Sequence, residues 1–240
     1  MTSTTGSPPA RNVMDAAGET VRLVAAGAGV VAPIVFVLAI AVGGAGASGF
    51  SQWTSFISEL GQSGAPTATF VNTAFVIVGA LLLVFAAGVG LGIGAPGSGR
   101  VAALLVVPGA AFVVMAISPC SAGCPIALVN LSATTSDAVH NAAATAGLVA
   151  IALAALLLGE RAPDGFGADG YASFSGAAGA AIGTLSAAFG LAVLSGSRPA
   201  IAVSERVLVL AALVWIEVTA LALARWNGRA RPGEGAGQRL

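Results

Sequence analysis

The chain has no lysine, a single histidine and two cysteines, and only 8% of its 240 residues are charged. A soluble domain carries about a quarter charged residues, so there are too few ionic groups here to wet a folded surface. The missing lysine excludes a lysine Schiff-base centre and any lysine-dependent phosphate loop. One histidine excludes a multi-histidine metal site, and neither a metal nor another cofactor is expected. Ten arginines balance ten acids with no basic patch, which leaves nucleic-acid binding without an electrostatic footing. What the chain does have is 57% hydrophobic residues and a mean hydropathy of +0.93, the composition of a membrane protein.

Crossing a hydrocarbon core of about 30 Å takes around 20 apolar residues as a helix, because lipid offers backbone polar groups no partner. Six such runs are present, at about 23–45, 70–93, 101–117, 138–158, 174–194 and 207–224. They are continuously apolar, whereas barrel strands alternate over about ten residues. The expected fold is therefore all-α, a polytopic membrane helix bundle with six transmembrane helices. Residues 1–20 and 227–240 read as polar, disordered tails around a membrane domain at 21–226. A cleaved signal peptide competes for the first run, since Arg11 and Arg22 precede it and Ala45-Gly46-Ala47 resembles a cleavage site. That run is much longer than the roughly 7–15 residues of a signal core, which favours a span.

Arginines set the orientation. With the N-terminus inside, the inner segments hold Arg11, Arg22, Arg100, Arg161, Arg225, Arg229, Arg231 and Arg239, against only Arg198 and Arg206 outside. The positive-inside rule then places both termini in the cytoplasm, with the plasma membrane as the expected location. Trp53 and Trp226 fall at opposite interfaces, as an aromatic belt requires. Gly88 with Gly92, Gly90 with Gly94, and Gly179 with Gly183 are spaced for close helix approach, and such faces also permit an oligomer. Gly88-Val89-Gly90-Leu91-Gly92 resembles a phosphate loop, but no strand precedes it and no helix opens after it.

Polar groups are costly in such a chain, and they collect on the three outer loops. Cys120 and Cys124 bracket Ser121-Ala122-Gly123 between prolines. In an oxidising compartment these thiols are expected to pair as a disulfide; reduced, partly buried thiols are the alternative. Asp137 and His140 lie one helical turn apart, a spacing that lets a carboxylate orient an imidazole for proton transfer. The competing reading is a helix cap, with Ser136 or Asp137 starting the fourth helix and His140 facing headgroups. Glu59 or Asp137 is placed to pair with Arg206, tying the first half of the bundle to the last span. Alternatively Ser204-Glu205-Arg206 simply starts that helix, with Ser204 as its cap. Glu217 lies near the middle of the last run, where a charge costs about 2.5–3.5 kcal/mol. It is expected to face the bundle, within reach of Thr184 and Ser186, either in a proton or ion role or in helix packing.

Ser58-Glu59-Leu60-Gly61 ahead of a span with Asn72, then Pro119-Cys120 with Cys124, then His140, then Glu205-Arg206 together resemble a prokaryotic membrane family catalogued as domain of unknown function 998. The likeness covers about residues 22–226. It implies six spans and an outer-face cluster, and an acid after the first cysteine, where this chain has Ser121. It implies no particular activity.

Three functions follow as expectations. The first is a solute- or lipid-accessible site on the outer face, built from Glu59, Asp137, His140, Glu205 and Arg206. It includes proton-coupled transport with Glu217 as the proton carrier, in two inverted halves of three spans. The second is an intramembrane lipid-modifying enzyme with His140 as base, although no nucleophile motif accompanies it. The third is a structural or accessory subunit without chemistry. The partners implied are membrane lipid and a small solute or lipid ligand.

Overall fold

The computed structural model describes residues 13–93 and 97–226. All regular structure there is helical: α1 (Val13–Gly46), a short 3-10 helix (Ile57–Gly61), α2 (Ala68–Gly92), α3 (Ser98–Ile117), α4 (Thr135–Arg161), α5 (Tyr171–Ser195) and α6 (Arg198–Arg225). Six of these are long and apolar enough to cross a membrane, so the chain folds as a six-span bundle. Even α3, the shortest at 20 residues, reaches about 30 Å at 1.5 Å per residue.

Each helix packs on its neighbours in sequence, and α6 returns to pack on α1. The result is a closed ring. The loops α1–α2, α3–α4 and α5–α6 gather at one end, opposite the helix ends that lead to the termini. Close approach is made by small residues, because lipid supplies no hydrophobic force between helices. A Cβ on Gly88 would overlap Ala25 of α1, and one on Gly179 would sit 2.7 Å from the Leu156 backbone nitrogen of α4. Gly183 meets nothing within 4 Å and faces away from the bundle. Gly94, its counterpart in the Gly90 pair, lies outside the described residues.

Two helix starts differ from the sequence reading. Helix α1 begins at Val13, so only 1–12 and 227–240 of the expected tails remain, and these lie outside the described residues. Helix α6 begins at Arg198, with the Ser197 hydroxyl accepting from Ala200 N at 3.4 Å and Pro199 in its first turn. The hydropathy signal starts late because Arg198, Glu205 and Arg206 interrupt it. Ser204 is therefore not a cap; its hydroxyl donates to the Ala200 carbonyl at 2.7 Å. Trp53 is 71% exposed, but Trp226 is buried edge-on against Phe166, with centroids 5.7 Å apart, rather than standing in a belt.

Two polar ties absent from the sequence reading lock α4, α5 and α6 together. Trp215 Nε1 donates to Ser175 Oγ at 2.9 Å, and Ser175 Oγ donates to the Ala155 carbonyl at 2.8 Å. The Tyr171 and Thr219 hydroxyls bond at 2.8 Å. All four side chains are buried, where an unmet polar group would cost about 1–3 kcal/mol.

Candidate functional site

The loop end opposite the termini is one connected polar structure. The disulfide loop after α3 is its centre: Cys120 and Cys124 are bonded, with Cα atoms 5.0 Å apart. Gly123 and Cys124 both take positive φ to close the turn. Gly123 N donates to Gln62 Oε1 at 2.6 Å, and Ser63 N to the Cys120 carbonyl at 2.8 Å, which fastens this loop to the first one.

Asp137 fastens the same loop to α4. Its carboxylate is fully buried and accepts from Ser121 N (2.7 Å), Ser121 Oγ (2.8 Å), Thr134 N (2.7 Å) and Thr134 Oγ1 (2.7 Å). Thr134 is the helix cap, accepting from Asp137 N at 3.2 Å to complete a capping box. Ser136 is not the cap; it donates to the Pro119 carbonyl at 2.8 Å.

The carboxylate therefore does not hold the imidazole. His140 instead covers the carboxyl end of α3: Nδ1 lies 3.1 Å from the Ser118 carbonyl, and the Met115 carbonyl also faces the ring. Helix C-termini leave such carbonyls unpaired, so the imidazole meets a backbone need. Next to it, Asn141 Nδ2 donates to the Pro125 carbonyl at 3.1 Å.

The acids of the first and last segments pair differently from the sequence reading. Glu59 forms its ion pair with Arg198, not Arg206. Arg198 Nε also donates to the Thr54 carbonyl at 3.4 Å, and its guanidinium lies 5.0 Å from the Phe56 ring centre. Arg206 donates to Gln52 Oε1 at 3.1 Å and to the Ala202 carbonyl at 2.9 Å. Its nearest approach to Glu205 is 3.9 Å. Glu205 Oε2 accepts the Ile57 N–H at 2.9 Å, while Oε1 has no hydrogen bond among the described residues.

Glu217 stands apart. It lines a shallow apolar groove on the outside of the ring with Pro33, Val37 and Leu38 of α1 and Leu210, Leu213 and Val214 of α6. It has no hydrogen bond or ion pair among the described residues, and Thr184 and Ser186 donate to their own helix at Ala180 and Ile182. The expectation that Glu217 faces the bundle is thus corrected: helix phase turns Trp215, Ile216 and Thr219 inward and leaves Glu217 on the groove side.

Beneath the loops, the ring surrounds a partly open cavity of about 220 Å³. Its body is apolar, formed by Phe36, Phe75, Phe112, Leu148, Leu208 and Ile216 among others. The three phenylalanines, from α1, α2 and α3, pack at centroid distances of 5.4–5.9 Å. Polar side chains enter near the loop end: Ser58, His140, Asn141 and Glu205. Farther in, Thr145 and Ser186 spend their hydroxyls on carbonyls one turn back, as is common for such residues in membrane helices.

The structure thus brings His140 and Glu205 to one cavity and assigns Glu59, Asp137 and Arg206 to the ties above it. A family model, described as protein of unknown function (DUF998), matches residues 30–223, the whole of this ring apart from its ends. The chain belongs to the DUF998 family. In this DUF998 protein the Ser121 position holds a hydroxyl bonded to Asp137, where the family resemblance implied an acid. No curated protein and no solved structure matches the chain. Among the described residues no group of three or more His, Cys, Asp or Glu is placed to hold a metal ion.

The cavity and its phenylalanine lining were missed by the sequence reading. Phe36, Phe75 and Phe112 sit at matching depths on three successive spans, and this alignment was the available signal.

Proposed function

We propose that this DUF998 protein binds the apolar chain of a lipid-like amphiphile inside its bundle, with the polar head under the loops beside Glu205 and His140. The observation that carries this reading is the cavity's polarity. It is apolar through its body and polar near one end, as amphiphile sites are. A dry apolar cavity of about 150 Å³ already holds benzene, so a space of about 220 Å³ takes a short stretch of hydrocarbon.

Two independent features support the sidedness. Arginine counts favour an extracytoplasmic loop end, and a disulfide in that loop fits an oxidising compartment. We therefore assign the protein to the plasma membrane, taking its ligand from the outer leaflet.

The alternatives draw less support. Proton-coupled transport through Glu217 needs that acid in the interior, and it lies on the outer groove. Catalysis with His140 as base, oriented by Asp137, loses that support because the Asp137 oxygens are taken by Ser121 and Thr134, and no nucleophile motif accompanies the histidine.

The test is native mass spectrometry of protein purified in mild detergent. Wild type is expected to retain one bound amphiphile per chain. Ala144→Phe and Ala212→Phe, which fill the cavity, are expected to lose it while keeping the wild-type melting behaviour to within a few degrees. Retention of the same adduct by both filled variants contradicts the reading.

A further inference from the structure

We propose that the polar end of the cavity selects a protonated amine, so that its occupant is a single-chain amphiphile with a cationic, hydrogen-donating head. The proposal rests on the binding reading above and adds the chemical class of the ligand.

Donors and acceptors around the cavity are not balanced. The imidazole N–H of His140 is directed to the Ser118 carbonyl, and the Asn141 amide gives one hydrogen to the Pro125 carbonyl. The hydroxyls of Thr145 and Ser186 are committed to the Asn141 and Ile182 carbonyls. What remains is mainly acceptor capacity: Glu205 Oε1, Asn141 Oδ1 and the lone pairs of the two hydroxyls. The donors left over are the second amide hydrogen of Asn141 and the Ser58 hydroxyl.

Charge points the same way. Among the described residues no arginine lines the cavity, whereas Glu205 does. Arg206 pairs with Glu205 at 3.9 Å, too far for a hydrogen bond; its Nε and Nη1 donate to Gln52 and Ala202, and its Nη2 is buried without a partner among the described residues. The carboxylate thus receives one direct hydrogen bond, from Ile57 N, and its other oxygen is open. A carboxylate in a low-dielectric space is costly unless it is paired and bonded. An ammonium head supplies the direct N–H donors that Arg206, at 3.9 Å, does not, and adds positive charge on the cavity side; a carboxylate or phosphate head would add like charge beside Glu205.

Glu59 does not compete for the same cation, because Arg198 already neutralises it. A second open acid at the loop end is therefore absent among the described residues, and selection falls on Glu205 alone. The fully methylated relative of the amine would satisfy the charge but not the acceptors, which predicts a preference for N–H over N-methyl.

The experiment compares octylamine, octyltrimethylammonium, octanol and octanoate, equal in chain length, as ligands for the full chain in nanodiscs. Binding to empty nanodiscs is subtracted. A hydrogen bond to a charged group contributes about 1.5–3 kcal/mol, so octylamine is expected to bind at least about tenfold more tightly than the other three. Glu205→Gln keeps an acceptor for Ile57 N and is expected to remove that advantage, bringing octylamine binding to the level of octanol. The wild-type ranking decides the question without the variant, should Glu205→Gln fail to fold. Equal binding of all four, or a preference for octanoate, overturns the head-group assignment and leaves chain binding in place. If none of the four binds and Ala212→Phe gives the same readings as wild type, the cavity reading falls with it.

Discussion

Ile57 donates its backbone N–H to the Glu205 carboxylate at 2.9 Å across 148 residues of chain, joining the first loop to the last helix directly above the cavity. Every other tie at that end converges on the same cover. Gln62 and Ser63 hold the disulfide loop, Asp137 holds that loop to α4, and Glu59 holds Arg198. These ties differ in burial, and so they should differ in energetic weight.

Asp137 is the heaviest of them. It is fully buried and accepts four hydrogen bonds from two residues. Asp137→Ala leaves the Ser121 and Thr134 donors unmet and removes half of the capping box. We expect a loss of at least about 2 kcal/mol, read by unfolding in mixed micelles. The Arg198–Glu59 pair is half exposed on the arginine side, and Arg198→Ala should cost no more than about 1 kcal/mol, with a dependence on salt. Equal losses for the two variants would contradict this ranking.

Two glycines should respond oppositely to the same substitution. Gly88→Ala drives a methyl into Ala25 across the α1–α2 contact, and overpacking of this kind costs about 1–3 kcal/mol. Gly183→Ala enters open space, and alanine's better helix propensity should leave stability unchanged or raise it by up to about 1 kcal/mol. Thermal melts of the two purified variants measure the contrast.

The groove position of Glu217 makes a further prediction. With no partner among the described residues and lipid-facing neighbours, Glu217→Leu should insert and fold at least as well as wild type, since about 2.5–3.5 kcal/mol attaches to an acid at midplane depth. Ligand retention should be unaffected. A loss of retention in Glu217→Leu would show that the groove takes part in binding.

Sidedness can be read by labelling single added cysteines with a membrane-impermeant thiol reagent. The native pair is bonded and buried, so it stays silent. Leu131→Cys, at a fully exposed position of the α3–α4 loop, should react on intact cells, and Asp164→Cys in the α4–α5 loop only after permeabilisation. The reverse pattern inverts the protein and moves its ligand to the inner leaflet.

The six spans were legible in the sequence because apolar runs of about 20 residues have few alternatives. The start of α6 was not, since Arg198, Glu205 and Arg206 interrupt the apolar run although they lie on the helix. Convergence of the odd loops followed from span parity, but pairings within them did not. Glu59 had two outer arginines to choose from, and only side-chain direction picks Arg198. Asp137 and His140 do share a stretch of helix, yet their partners come from the disulfide loop and from the end of α3, which spacing along α4 does not reveal. Glu217 was misplaced for the related reason that a nearly uniform apolar helix carries little information on which side faces in.

The most direct test of the account is an experimental structure of the protein in nanodiscs made with native lipid, solved without added ligand. The account predicts elongated density between Phe36, Phe112 and Ile216, ending in a head group within hydrogen-bond distance of Glu205 Oε1. A cavity that is empty, or filled only by water, with lipid confined to the outside of the ring, would contradict it.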